Sequence, residues 1–261
     1  LVLTGGEPTV NKDLDAILRF AHTEYPRMSI RLITNAIHLP PKLLDSLLLG
    51  NVVSVHVSMN ASNATDYRRI TGVDKFDQVL RNVRSLLAKR DDMRSPVPTA
   101  CGSLVLVKEN LSNVIPSVHL GHELGFDAVY ILEPYLPAEL SGSSPFGDRK
   151  QLDGIFQEAR AIASDKGIML VLPEMGTRAA KIDRCTEPWR KIWVSAGGWV
   201  NPCCGYNFGV SGDNVLRGNL LKQDLREFWY GGIYEALRVG LTRKDPVPGC
   251  KACYSQMFAE Q

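Results

Sequence analysis

Leu1-Val2-Leu3-Thr4-Gly5-Gly6-Glu7-Pro8 opens the chain as an apolar run that stops at two glycines, an acid and a proline. The pattern reads as the end of a buried strand turning sharply at the mouth of a parallel sheet. Paired glycines let a ligand lie against the backbone, because no Cβ intervenes. Pro8 fixes φ in the turn. A start inside a strand leads to the expectation that further residues precede Leu1.

Working outward, strands and helices alternate. Helices are expected over 12–25 with Asn11 as cap, 40–49, from Asp74 onward, 110–125 and 151–166; strands over 30–35, 52–60, 99–107, 128–132 and 168–172. No segment repeats at a fixed period. Alternation of this kind gives a parallel sheet with right-handed crossovers. In 52–60, Val53, Val55, Val57 and Met59 share one face, and Ser54, His56, Ser58 and Asn60 share the other. The polar face reads as the lining of a cavity; the alternative is an edge strand with one wet side.

Of 261 residues, 44% are hydrophobic and 22% charged, which suits a globular chain with a full core. A net charge of +2 gives no case for nucleic acid or an anionic membrane as partner. No apolar run approaches the ~20 residues a membrane span needs. The expected setting is cytoplasmic. Past residue 173 the alternation stops. A hairpin is expected around Ala196-Gly197-Gly198, and a helix or broken pair over 225–241, interrupted at Gly231-Gly232.

Five of the six cysteines lie at or after position 185: Cys185, Cys203, Cys204, Cys250 and Cys253. Such clustering outside a small secreted scaffold favours metal binding. Four thiolates suit zinc or an iron–sulfur cluster, and spacing alone does not choose. Adjacent residues in extended chain point apart, so Cys203 and Cys204 are not expected to share one metal; Cys203 is preferred. Cys101, alone in a strand, reads as a small core residue.

The Gly5-Gly6-Glu7-Pro8 turn closing a strand resembles the GGEP motif of the radical S-adenosylmethionine (SAM) superfamily. The Ile33-Thr34-Asn35 strand end matches that family's third strand, and the run Ser58-Met59-Asn60-Ala61 followed by Asp66-Tyr67-Arg68-Arg69-Ile70-Thr71-Gly72 and Phe76-Asp77-Gln78-Val79 matches its fourth strand and the helix beyond. Cys185, Gly198, Cys203 and the Cys250-Lys251-Ala252-Cys253 pair are similar to its SPASM/twitch extension. The resemblance implies an α/β fold: a partial (β/α)6 TIM-like barrel over 1–172, its first βα unit missing, followed by a small α+β iron–sulfur extension over 173–261. The family's Cys-x3-Cys-x2-Cys loop is expected ahead of Leu1. Position 259 is Ala, so a single-cluster, twitch-like extension is expected, or a truncated one.

The same resemblance implies that the carbonyls of Gly5, Gly6 and Glu7, with Pro8 shaping the turn, take the SAM ammonium group. Ser58 and Asn60 match ribose-binding positions, Arg69 is a candidate for the SAM carboxylate, and Ile131 and Leu132 for flanking adenine. Cys185, Cys203, Cys250 and Cys253 would hold a [4Fe-4S] auxiliary cluster; a second [4Fe-4S] cluster, with ligands outside this chain, would cleave SAM. Glu133 and Tyr135 are candidates as general bases. The implied activity is hydrogen abstraction by a 5′-deoxyadenosyl radical from a peptide or small polar metabolite, in oxidation or maturation chemistry, with a reductant such as flavodoxin or ferredoxin. The rival reading is a non-catalytic peptide-binding module with a four-cysteine zinc site.

Overall fold

The structure, a computed structural model, describes residues 1–134, 142–173, 185–203, 218–245, 247 and 250. The chain divides into two compact units, Leu1–Pro173 and Glu174–Gln261.

The first unit is a six-stranded sheet of β1 (Val2–Leu3), β2 (Ile30–Thr34), β3 (Val52–Ser58), β4 (Thr99–Val105), β5 (Ala128–Leu132) and β6 (Met169–Val171). The strands lie in sequence order and every neighbouring pair is parallel. Each parallel step needs a crossover, and helices supply them. They are α1 (Leu14–Glu24), α2 (Pro41–Leu47), α3 (Ala64–Thr71), α4 (Phe76–Asp92), α5 (Val114–Leu124) and α6 (Arg149–Lys166). This is the α/β partial barrel expected from the sequence. Because β3 sits between β2 and β4, it is not an edge strand, and that alternative is excluded.

The two faces of the sheet differ. Leu32, Val55, Val57, Leu104, Val129 and Ile131 are buried on one face. There α5 lies so close that a Cβ on Gly121 would stand 2.3 Å from the Val129 side chain. The register puts Arg31 beside Ser54, His56 beside Cys101 and Ser103 beside Tyr130 on the other face. That face leaves Arg31, Val2, Val105, Leu132 and Met169 exposed.

Local chemistry corrects some expected boundaries. Asn11 is not the cap of α1; its Oδ1 accepts from Asp13 N (2.9 Å), and Asp13 takes the cap position. Residues 108–113 form a 3-10 turn (Lys108–Asn113) ahead of α5 rather than its first turns. The short α3 is a helix of its own ahead of α4; Asn63 caps it by accepting from Asp66 N, and Gly72 closes it at φ 76°.

In the second unit, β7 (Trp193–Val194), β8 (Trp199–Asn201) and β9 (Gly218–Asn219) form an antiparallel sheet. Short helix α7 (Glu187–Arg190) precedes it, and α8 (Leu225–Tyr230) and α9 (Gly232–Thr242) follow, broken at Gly231 as expected. Val200, Phe228 and Tyr234 form its core. Gly218 is forced by packing, since a Cβ there would fall 1.9 Å from the Phe228 ring. Arg238 stacks on Trp229 and Tyr234 and donates to the carbonyls of Pro188 (3.1 Å) and Trp229 (2.7 Å), binding α7 to α9.

Candidate functional site

The turn after β1 holds Gly5 at φ 82° and Gly6 at φ 50°. Left-handed backbone costs other L-residues about 1–2 kcal/mol each. Yet no heavy atom lies within 4 Å of where a Cβ on either would stand. Backbone conformation requires glycine here, and the space above both stays open. Neither the Gly5 nor the Gly6 carbonyl receives a hydrogen bond among the described residues, whereas the Glu7 carbonyl accepts from Val10 N (3.3 Å). Two of the three carbonyls singled out from the sequence are thus available, and the third is held in the turn.

The Glu7 side chain is fully engaged. Its Oε1 accepts from Thr9 N (3.0 Å), Thr9 Oγ1 (2.7 Å) and Thr34 Oγ1 (2.6 Å), and its Oε2 from Asn35 N (2.7 Å). One carboxylate thereby joins the end of β1 to the end of β2. Pro8 starts the one-turn 3-10 helix (Pro8–Val10) that brings the Thr9 donors round. Buried Tyr67 lies near enough to feel this charge; burial first, then Glu7, push its phenol pKa up.

Ser58 closes β3, half-buried and in register with Ser103. Asn60, two residues on, sits at φ 56°. Its Oδ1 accepts from Val105 N (3.2 Å) and its carbonyl from Asn110 Nδ2 (3.3 Å). Its amide therefore already braces the end of β4. The Arg69 guanidinium donates to Asp66 (2.7 Å) and to the Glu109 carbonyl (2.9 Å), with half its side chain exposed. Arg69 first, then Asn63 and Asn113, hold the Asp66 carboxyl at about 2. Asn113 in turn accepts from Ser62 N (2.8 Å) and Ser62 Oγ (2.7 Å). Asn110 and Asn113, both buried, are the hubs that sequence reasoning missed. Two asparagines three apart before a helix were the available signal, because such side chains prefer to bond local backbone.

Ile131 and Leu132 do not act as a pair. Successive strand residues face opposite sides, and Ile131 is buried in the core whereas Leu132 is exposed on the open face. Glu133 is half-buried just past β5 and makes an interaction of its own. Tyr135 lies outside the described residues.

Cys185, Cys203 and Cys250 are half-buried thiols outside any disulfide, each with an interaction partner. Among the described residues no three His, Cys, Asp or Glu side chains converge on one point. Cys253 and Cys204 lie outside the described residues. Three soft thiols are a donor set that suits iron–sulfur ligation. Cys203 stands close enough to buried Tyr234 to add to the burial that pushes that phenol up to about 12, against the opposing charge of Arg238. Cys101 is buried beside His56, its thiol pushed up to about 11 mainly by burial, which makes it a poor nucleophile.

Residues 1–118 match the Radical SAM superfamily and residues 185–254 the iron-sulfur cluster-binding domain called SPASM. The chain thus carries a radical SAM domain followed by a SPASM domain, which bring S-adenosylmethionine and iron–sulfur clusters as cofactors. A probable GTP 3',8-cyclase of Saccharolobus islandicus is 30% identical over 131 residues, half of this chain and 40% of that protein. One of Metallosphaera sedula is 29% identical over 161 residues, 62% of this chain and 48% of that protein. The chain thus spans under half the length of these curated relatives. Among solved structures, Streptococcus suis SuiB superposes with a TM-score of 0.70 at 15% identity, covering 91% of this chain and 57% of that one. The structure of anSMEcpe with bound AdoMet gives 0.67 at 18% identity, covering 98% and 69%. Both likenesses concern the fold. No helix among the described residues is long and apolar enough to cross a membrane.

Proposed function

We propose that this chain binds SAM at the mouth formed by the ends of β1 to β4 and serves an enzyme that abstracts hydrogen from a peptide. The carrying observation is the turn at Gly5 and Gly6, with open space above it and two carbonyls free to accept from an ammonium group. When bound, SAM and its cluster supply a 5′-deoxyadenosyl radical that takes a hydrogen atom from the substrate. The residues of this chain position and exclude. Glu7 fixes the turn by joining two strand ends, so the acid of the motif is a brace and its carbonyl neighbours are the contact. Ser58, half-buried at the end of β3, offers a hydroxyl to the ribose. Asn60, anchored to Val105 and Asn110, closes that side through its left-handed backbone. Arg69 reaches the SAM carboxylate only by giving up a bond to Asp66 or Glu109, which makes it the weakest of these contacts.

Cys185, Cys203, Cys250 and Cys253 are the ligands assigned to the auxiliary [4Fe-4S] cluster. Peptide is preferred to a small polar metabolite because SuiB is solved with a precursor peptide and anSMEcpe with peptides, whereas the GTP cyclases match only part of the chain. The net reaction fits an oxidation or maturation, with a flavodoxin- or ferredoxin-type reductant.

Equilibrium dialysis of SAM against the complete protein tests the site. Gly6→Val is expected to lower SAM affinity at least about tenfold, through strain at φ 50° and a side chain in the ligand's space. Wild-type affinity in that variant would overturn the assignment. Metal analysis of the same preparation separates the rival: about eight iron, four for each cluster, supports the auxiliary cluster, and one zinc with about four iron or none sinks it.

A further inference from the structure

On the open face of the sheet, below the mouth, β2, β3 and β5 each contribute one polar side chain to a diagonal row. Arg31 of β2 is in register with Ser54 of β3, and His56 follows one pleat higher on that strand, beside Cys101 of β4. Tyr130 of β5 leans across β4 onto His56, their ring centroids 5.0 Å apart and inclined at 51°. The crossing is possible because β4 offers only Cys101 and Ser103 at these levels. Those small side chains lie buried underneath, while His56 and Tyr130 keep their outer edges partly accessible.

Among the described residues, no hydrogen bond or ion pair engages the His56 ring, the Tyr130 hydroxyl or the Arg31 guanidinium. An exposed arginine without a partner is ordinary. One set diagonally across the sheet from a half-buried imidazole that itself packs on a phenol is less so. None of the strand positions on this face of β2 to β6 is Asp or Glu. The acids nearest by are committed elsewhere: Asp127 is bonded to Arg90 (2.7 Å) and Ala100 N (2.7 Å), and Glu7 is filled by its four donors. The cluster is a set of donors around an uncompensated cation. Guanidinium, imidazole N–H and phenol O–H together are suited to an oxyanion.

We infer that Arg31, His56 and Tyr130 form a receptor for an oxyanion carried by the substrate, a carboxylate or phosphate group, on the floor beneath the SAM site. The inference rests on the proposed reading of the mouth above this face as the SAM site. Two residues along a strand span about 7 Å, so the His56 level lies roughly that far below Ser58. The anionic group anchors the substrate's far end while the reacting carbon stands at the mouth. Burial, then the charge of Arg31, keep the free imidazole's pKa below its ordinary value. Cys101 and Tyr130 are the other titratable groups facing it. A bound anion offsets Arg31, so binding draws a proton onto His56 and tightens as pH falls through the imidazole range.

The test is a titration of the complete protein with inorganic pyrophosphate and, separately, with glutarate, followed by the nitrogen resonances of the His56 ring. The spectrum of His56→Gln identifies that ring among the histidines. One of the two probes is expected to shift His56 saturably toward the imidazolium. The preferred probe identifies phosphate or carboxylate as the natural group. Arg31→Gln should weaken that binding about tenfold and Tyr130→Phe about threefold, in the range of charged and neutral hydrogen bonds. Arg31→Lys, which keeps the charge, should recover part of the loss. Absence of any saturable shift with either probe, or unchanged affinity in Arg31→Gln with a native backbone spectrum, overturns the inference. SAM dialysis keeps the two readings apart: Arg31→Gln should bind SAM normally, and Gly6→Val should bind the anion normally.

Discussion

The two faces of the parallel sheet are made by alternate residues of the same strands, yet they follow different rules. On the helix side, Val55, Val57, Leu104 and Val129 are sealed, and even glycine is dictated by contact: Gly121 has no room for a methyl group. On the open side, Arg31, His56 and Tyr130 hold polar groups that nothing in the described chain satisfies. Stability resides on the first face and recognition on the second. The turn at Gly5 and Gly6 belongs with the second, because its glycines answer to backbone conformation and leave space unfilled.

The sharpest way to break this contrast is to cut into the sealed face. Leu104→Ala should lower the unfolding free energy by about 2–5 kcal/mol, read by denaturant titration. A comparable loss for Tyr130→Phe would erase the distinction. Gly121→Ala forces a Cβ to 2.3 Å from Val129 and should cost about 1–3 kcal/mol in the same measurement. Glu7→Gln tests the strand-end brace, since an amide presents one acceptor where the carboxylate used two; a loss of about 1–3 kcal/mol is expected. His56→Gln on the open face should fall within about 0.5 kcal/mol of wild type.

The smallest expected effect is a pH dependence. Asp66 is held at about 2 against an ordinary 3.8, so the unfolded chain binds its proton first. Its contribution is present above pH 3.8 and fades as pH falls toward 2. Asp66→Asn should flatten the stability curve there. His56, also depressed, acts in the same direction below its ordinary value of 6.5: stability declines as the unfolded imidazole charges before the folded one. A stability that rose on acidification through that range would contradict the half-buried neutral ring.

The faces were legible in the sequence because a strand's alternation is local. Val53 to Met59 and Ser54 to Asn60 separate by parity alone, and the glycine pair after an apolar run marks its own turn. What stayed hidden depends on partners far along the chain. Nothing local tells that the acid of the motif reaches Thr34 and Asn35, or that Asn60 turns its amide to Val105. Arg69 matched a pattern and proved to be occupied by Asp66 and Glu109. Ile131 and Leu132 came as a pair from the resemblance, and the alternation of the strand puts them on opposite faces. The meeting of His56 and Tyr130 needs β4 to carry small residues between them, a condition set only once the register is known.

The saturated carboxylate of Glu7 has a consequence in time as well as in space. Thr9 N–H and Asn35 N–H, 26 residues apart in sequence, donate to the same side chain. Neither can exchange its proton with solvent until that carboxylate lets go. The two strand ends therefore share one opening event. The rim on which a ligand would land breathes as a single unit, and the two loops do not flicker independently.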